Sequence, residues 1–348
     1  MTGQSETVTR ATRARTSGAQ RKLQIGLGAI WVMDGALQLQ PFMFTRSFVT
    51  QIIAPNQLGQ PGFVAGPITL AAHVIEPRIV LFNLFAATIQ ALIGIGLIYR
   101  PTVKAALLTS FGWALGVWWI GEGLGGLFTG HASPLTGAPG AAILYVLAGL
   151  IVWPQGRRQR GAATGGGLLG EHGARIAWAL LWLGSGALWL LPANRAATAF
   201  GDAIASAPSG SRWLANIQST VASATAGHGA TIAIGAAALS AAVGLTVLLG
   251  RCAKSAFAVS AALALVYLVI GQGIGGILTG AGTDPGTGPL IILLAIAIYP
   301  LHRAGSSLTS RRRRNPARWP GPGRHALVVH ATNSVPGSQR ATHLPTQS

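Results

Sequence analysis

The chain has 348 residues, half of them hydrophobic and only 9% charged, a balance that excludes an ordinary soluble globular domain, whose surface needs far more charge to stay dissolved. Its formal net charge of +18 would suit a nucleic-acid binder, but the 25 Lys and Arg residues stand between and outside the apolar segments; this is a membrane-protein distribution, and it argues against any specific nucleic-acid partner. A single cysteine, Cys252, excludes an internal disulfide framework and a C-x-x-C redox pair.

In chain order, residues 1–22 are polar and carry Arg10, Arg13, Arg15, Arg21 and Lys22, which reads as a disordered basic arm ending at a membrane face. No small-residue cleavage site follows, so the apolar segment from Leu23 to Gln40 is read as retained. At about 1.5 Å per residue it is close to the roughly 30 Å of a bilayer core. Residues 41–76 form a connection in which Pro55, Pro61 and Pro67 argue against a long helix and leave room for a short amphipathic piece. The second span is expected from Ile79 to Tyr99, and Arg100 and Lys104 mark a tight turn into a third from Ala105 to Ile120, so the two are antiparallel neighbours. A loop with Pro134 and Pro139 leads to a fourth segment ending at Trp153. A basic, Gly-rich linker then covers residues 155–174.

The plan then repeats. W-L-G-S-G-A-L-W-L-L-P, from Trp182 to Pro192, matches W-V-M-D-G-A-L-Q-L-Q-P, from Trp31 to Pro41, and G-Q-G-I-G-G-I-L-T-G from Gly271 matches G-E-G-L-G-G-L-F-T-G from Gly121, 150 positions earlier. Such a period signals one unit written twice. The fold class expected is an all-α integral membrane protein with eight transmembrane helices in two parallel four-helix repeats, covering residues 23–154 and 175–300. The fourth and eighth apolar cores are short for a full crossing. Basic residues favour both termini in the cytoplasm of a plasma-membrane protein, leaving only Arg46, Arg78, Arg195 and Arg212 outside. The tail 301–348, with Arg311 to Arg314, reads as disordered and drawn to anionic lipid headgroups.

The glycine motifs formally satisfy G-x-G-x-x-G, but an apolar helix precedes them and a Pro-rich loop follows, which is the wrong context for a dinucleotide site. Their spacing of four, Gly121 with Gly125 and Gly126 with Gly130, and likewise Gly271 with Gly275 and Gly276 with Gly280, reads as small residues on a helical packing face. The chemistry-bearing candidates are the polar residues inside apolar segments. Asp34 and Gln38 lie one turn apart, Asn83 and Gln90 share a face, and Glu122 stands at the end of the third span. All but Gln90 fall by count at one depth, so they could meet as a ligand-binding or proton-handling site. The second unit carries Ser185, Trp189, Ala233, Ser240 and Gln272 at the corresponding positions, so any ionisable site is expected in the first unit with the second as scaffold. His73, His131 and His228 read as loop histidines rather than metal or haem ligands.

Four spans per unit, a first helix ending in W-x-x-D-G-x-L-Q-x-Q-P and a basic pair between the second and third helices resemble the DoxX-like family of small four-helix membrane proteins. The resemblance implies a membrane subunit tied to quinone-linked redox complexes, with a quinone as possible cofactor and a membrane redox partner, and not an enzyme on its own. A proton-coupled transporter using Asp34 or Glu122, and a structural membrane protein without ligand, are the alternatives.

Overall fold

The computed structural model describes residues 3–154, 166–250 and 253–299. They form helices and turns, with no strand among them, and belong to one compact unit. The helices are α1 (Gly3–Leu37), α2 (Gly62–Ile75), α3 (Ile79–Ile98), α4 (Val103–Ile120), α5 (Ala141–Val152), α6 (Gly170–Trp189), α7 (Ala199–Ala205), α8 (Arg212–Ala224), α9 (Gly229–Leu248), α10 (Ala253–Val266) and α11 (Thr287–Tyr299). The stretches Gly62–Ile98, Arg100–Ile120, Gly229–Leu248 and Lys254–Gly271 are long and apolar enough to cross a membrane. Helices α5 and α11 are apolar but short.

The helices are sided for a lipid solvent. On α3, Leu81, Phe85 and Leu92 are 68%, 57% and 59% exposed, whereas Asn83 and Gln90 are buried. Polar residues inside and apolar ones outside reverse the soluble pattern and match a bilayer. The chain is thus a membrane protein of all-helical fold.

Two helix pairs form the frame: α1 lies along α3, and α6 along α9. Glycine lets each pair close. A Cβ on Gly28 would stand 2.8 Å from the Gly94 carbonyl oxygen, and one on Gly35 3.0 Å from that of Ala87; in the other pair, Gly186 and Gly244 lie 3.1 and 3.2 Å from the Ala237 and Ala179 oxygens. Small residues of this kind supply helix association where no hydrophobic drive exists. One apolar core joins the pairs, running through Leu27, Trp31, Leu144, Trp178, Trp182 and Leu294.

Several expectations change. The arm at 1–22 is helical from Gly3, continuous with α1; no proline occurs before Pro41, and Ala, Arg and Gln sustain a helix. The connection 41–76 holds a real helix, α2, with Pro67 inside it, because apolar Val64, Ile68, Ala72 and Ile75 pack into a second core with Met43, Phe48 and Ile53, and burial outweighs one lost backbone bond. The linker ends sooner, since α6 begins at Gly170. Residues 155–165, Cys252 and the tail from 301 with its arginine run lie outside the described residues.

The glycine motifs are not helical faces. Helix α4 ends at Ile120, and Gly123, Leu124, Gly125 and Gly126 then take φ of 52°, 55°, 65° and 69°, a left-handed turn; Gly273, Ile274, Gly275 and Gly276 repeat it at 55°, 57°, 65° and 66°. The turn brings Gly125 against the loop before α5, where a Cβ would sit 2.1 Å from the Pro139 carbonyl oxygen, and brings Gly275 within 2.2 Å of that of Asp284 in the same sense. Gly130 and Gly280 also have positive φ, at 77° and 78°. Gly271 is closely approached by a loop, its Cβ position being 2.1 Å from the Leu135 oxygen, while Gly121 meets only its own helix. Apart from Gly121, these glycines serve backbone conformation and loop approach, not the close pairing of helices.

Candidate functional site

Helix α1 carries Trp31, Asp34 and, just past its end, Gln38 towards the bundle interior. The Trp31 ring packs on Tyr145 of α5 at 4.3 Å between centroids, and the Tyr145 hydroxyl donates to Asp34 Oδ2. Asp34 is 2% exposed, and its other oxygen, Oδ1, has no partner. Asn83 donates from Nδ2 to the Gln38 main-chain oxygen, which satisfies a carbonyl at the end of α1 and ties it to α3. It does not line the cavity; its role is to hold Gln38.

Asp34, Gln38, Gln90 and Glu122 do converge, on a cavity of about 350 Å³ between α1, α3, α4 and α5. Its roof is the segment between α1 and α3, through Phe48, Ile52, Ala71 and Ile75. The connection 41–76 is thus a packed cap over the pocket. Gln38 Oε1 and Gln90 Oε1 are buried without partners, as are the indole N–H groups of Trp31 and Trp113.

Glu122 stands where the left-handed turn meets α5. Its Oε1 and Oε2 accept from the Ala142 N–H at 3.0 and 3.3 Å, so the side chain caps the start of α5, where free N–H groups and the helix dipole favour an acceptor. Gln272 makes the equivalent cap on α11: its Oε1 accepts from the Thr287 N–H at 2.8 Å and its Nε2 donates to Thr287 Oγ1 at 2.9 Å. Since glutamine suffices there, capping alone does not require the charge of Glu122.

Two residues that shape the site escaped sequence reasoning. Tyr145 looks like one more aromatic in an apolar helix. Asp284 lies in the turn T-D-P-G before α11, where Asp284 accepts from the Gly286 N–H at 2.7 Å and from the Thr283 hydroxyl at 2.9 Å. It reaches the cavity beside Glu122 because its loop docks on the first half of the chain, where Gln40 Nε2 donates to the Gly282 oxygen at 3.0 Å. The expectation that every ionisable group of the site belongs to the first unit is therefore corrected: the second half supplies a carboxyl. One signal was available, since Asp284 is the only Asp or Glu after Asp202.

A second, polar cavity of about 600 Å³ adjoins the first. Asn56, Gln60, His131 and Thr136 line it, and it shares Glu122 and Asp284 with the inner pocket, so the two acids stand between them. Burial pushes the Glu122 carboxyl up to about 8, and the neighbouring Asp284 charge adds to this. Burial likewise raises Asp284, against the lowering effect of its bonds from Gly286 and Thr283. Among the described residues, no group of three His, Cys, Asp or Glu side chains is placed to hold a metal ion.

In the second half the corresponding space is filled. Where Asp34, Gln38 and Val117 stand in the first half, Ser185, Trp189 and Tyr267 stand in the second. Trp189 Nε1 donates to the Tyr267 hydroxyl at 3.1 Å, and the space lined by Ser185, Tyr267 and Ile291 is only about 10 Å³.

Fold and site together define an all-helical membrane protein with a capped, acid-lined pocket. No protein-family model matches the chain, and neither a curated protein nor a solved structure matches it.

Proposed function

We propose that this chain is a multi-pass plasma-membrane protein that crosses eight times as two parallel four-helix repeats, with both termini cytoplasmic, and holds a small, largely apolar ligand in the pocket around Asp34. The observation that carries the ligand reading is the cavity itself: about 350 Å³, walled by apolar and aromatic side chains, with a few convergent polar groups left unpaired, which is the make-up of a small-molecule site. The repeat reading draws on the paired glycine turns and paired helix caps. The DoxX-like layout of each unit supports a membrane subunit working beside a redox partner, with a quinone as one ligand of suitable size and polarity. Contacts of the basic tail with anionic headgroups fit the same placement.

A proton-coupled transporter is the second reading. It is favoured by the Tyr145–Asp34 hydrogen bond lying inward of Glu122 and Asp284, which gives protonatable groups at successive depths from a polar vestibule.

Ligand binding is tested by filling the pocket. Ala86 is buried and lines the cavity, so Ala86→Phe should expel a co-purifying small molecule, read by native mass spectrometry, while the thermal midpoint stays near that of wild type. Equal occupancy in both proteins would reject the site. For the topology, single cysteines at Gly137 and Gln155 are expected to label from opposite sides of the membrane; labelling from one side would refute an even number of crossings per unit.

A further inference from the structure

Only 7 residues of this chain are Asp or Glu, and three of them, Asp34, Glu122 and Asp284, border one pocket. Among the described residues, no Lys or Arg lines it. The one ion pair among the described residues, Glu171 with Arg175, is elsewhere. Carboxyl groups out of water need a neutralising partner, and protons or a bound cation are the two sources available. Three side chains that line the cavity each keep a buried acceptor atom without a donor: Asp34 Oδ1, Gln38 Oε1 and Gln90 Oε1, in residues 2%, 5% and 6% exposed. Side chains so buried ordinarily have a partner.

The shape of the site limits the cation. The acids come from α1, the turn after α4 and the loop before α11, and no three of them gather as metal ligands do. The same cavity is lined by Trp31, Phe48, Phe82 and Trp113, and aromatic rings attract an organic cation and shelter its apolar body. A protonated amine offers three N–H donors and no acceptor, which matches the three unpartnered acceptors. A quinone offers only acceptors and would leave them unmatched. The indole N–H groups of Trp31 and Trp113 leave room for one acceptor elsewhere on the ligand.

We propose that the ligand of this pocket is a small organic monocation, a protonated amine on an aromatic or aliphatic body, admitted from the polar vestibule between Glu122 and Asp284 and seated with its ammonium group on Asp34, Gln38 and Gln90. The proposal rests on the ligand-binding reading above and adds the charge and donor character of what is bound.

The test uses the full chain in lipid nanodiscs, with empty nanodiscs subtracted, and two probes of one shape: 2-(1-naphthyl)ethylamine, cationic at pH 7, and 1-propylnaphthalene, its uncharged counterpart. The amine is expected to bind at least about tenfold more tightly, and to lose about that factor in Asp34→Asn and in Asp284→Asn, while the hydrocarbon is unaffected. Asp284→Asn sits in a loop and guards against a fold defect in the helical variant; thermal midpoints check both. Equal binding of the two probes would overturn the cation inference and leave the pocket reading standing. If neither binds, the inference falls, and decylubiquinone then decides the broader reading: its binding would rescue an apolar-ligand site, and its failure would remove that too.

Discussion

Gly125→Ala is expected to destabilise the protein by roughly 3 kcal/mol or more. A left-handed conformation costs a residue with a Cβ about 1–2 kcal/mol, and forcing atoms into a filled space adds about 1–3 kcal/mol. Both act at Gly125: its φ is 65°, and the added carbon would meet the Pro139 carbonyl oxygen at 2.1 Å and its carbon at 2.3 Å. These are backbone atoms and cannot rotate aside. The clash would push the 133–140 loop off the turn, and with it the start of α5, where Glu122 caps and Tyr145 follows. The control is Gly66→Ala in α2, where a Cβ meets nothing within 4 Å. Unfolding midpoints in a matched detergent series would measure both; a Gly125→Ala protein as stable as Gly66→Ala would refute the tight approach. The neighbouring Leu124, which holds φ at 55° despite its side chain, shows that the turn is strained already.

Trp189→Ala is expected to cost about 3–5 kcal/mol, the range for emptying a large buried side chain. Trp189 is 2% exposed, donates to Tyr267 and packs against Phe200. Its place in the second half corresponds to that of Gln38 in the first. The variant should therefore open a void where the first half already has a pocket, and a hydrophobic dye that reports cavities should bind at an additional site. Loss of less than about 1 kcal/mol would mean that Trp189 does not fill the space as the geometry says. The halves differ in chemistry for the same reason: the Trp189 indole and the Tyr267 phenol fill in one the space that Gln38 and Val117 leave open in the other.

The apolar segments were legible because membrane helices must satisfy their own backbone and face lipid with carbon, a demand that leaves long runs visible in composition. Helices α3 and α4 fall within two residues or so of where hydropathy puts them. The extent of helix α2 was not legible, because the prolines allow only a short piece until one sees what Val64 and Ile68 pack against. At the site, Asp34, Gln38, Gln90 and Glu122 stood out as polar residues in apolar surroundings, and that oddity is local. Asn83 stood out for the same reason, yet its side chain is spent on the Gln38 carbonyl.

By itself the sequence determined a helical membrane protein, since residue type and period dictate burial in lipid one segment at a time. Only the tertiary structure decided that Tyr145 binds Asp34, that Asp284 crosses from the second half to stand beside Glu122, and that the paired glycines turn the chain rather than pack it. The first two depend on how segments 100 residues or more apart meet, as Asp34 meets Tyr145 across 111 positions and Gln40 meets Gly282 across 242, and no local pattern encodes such a meeting.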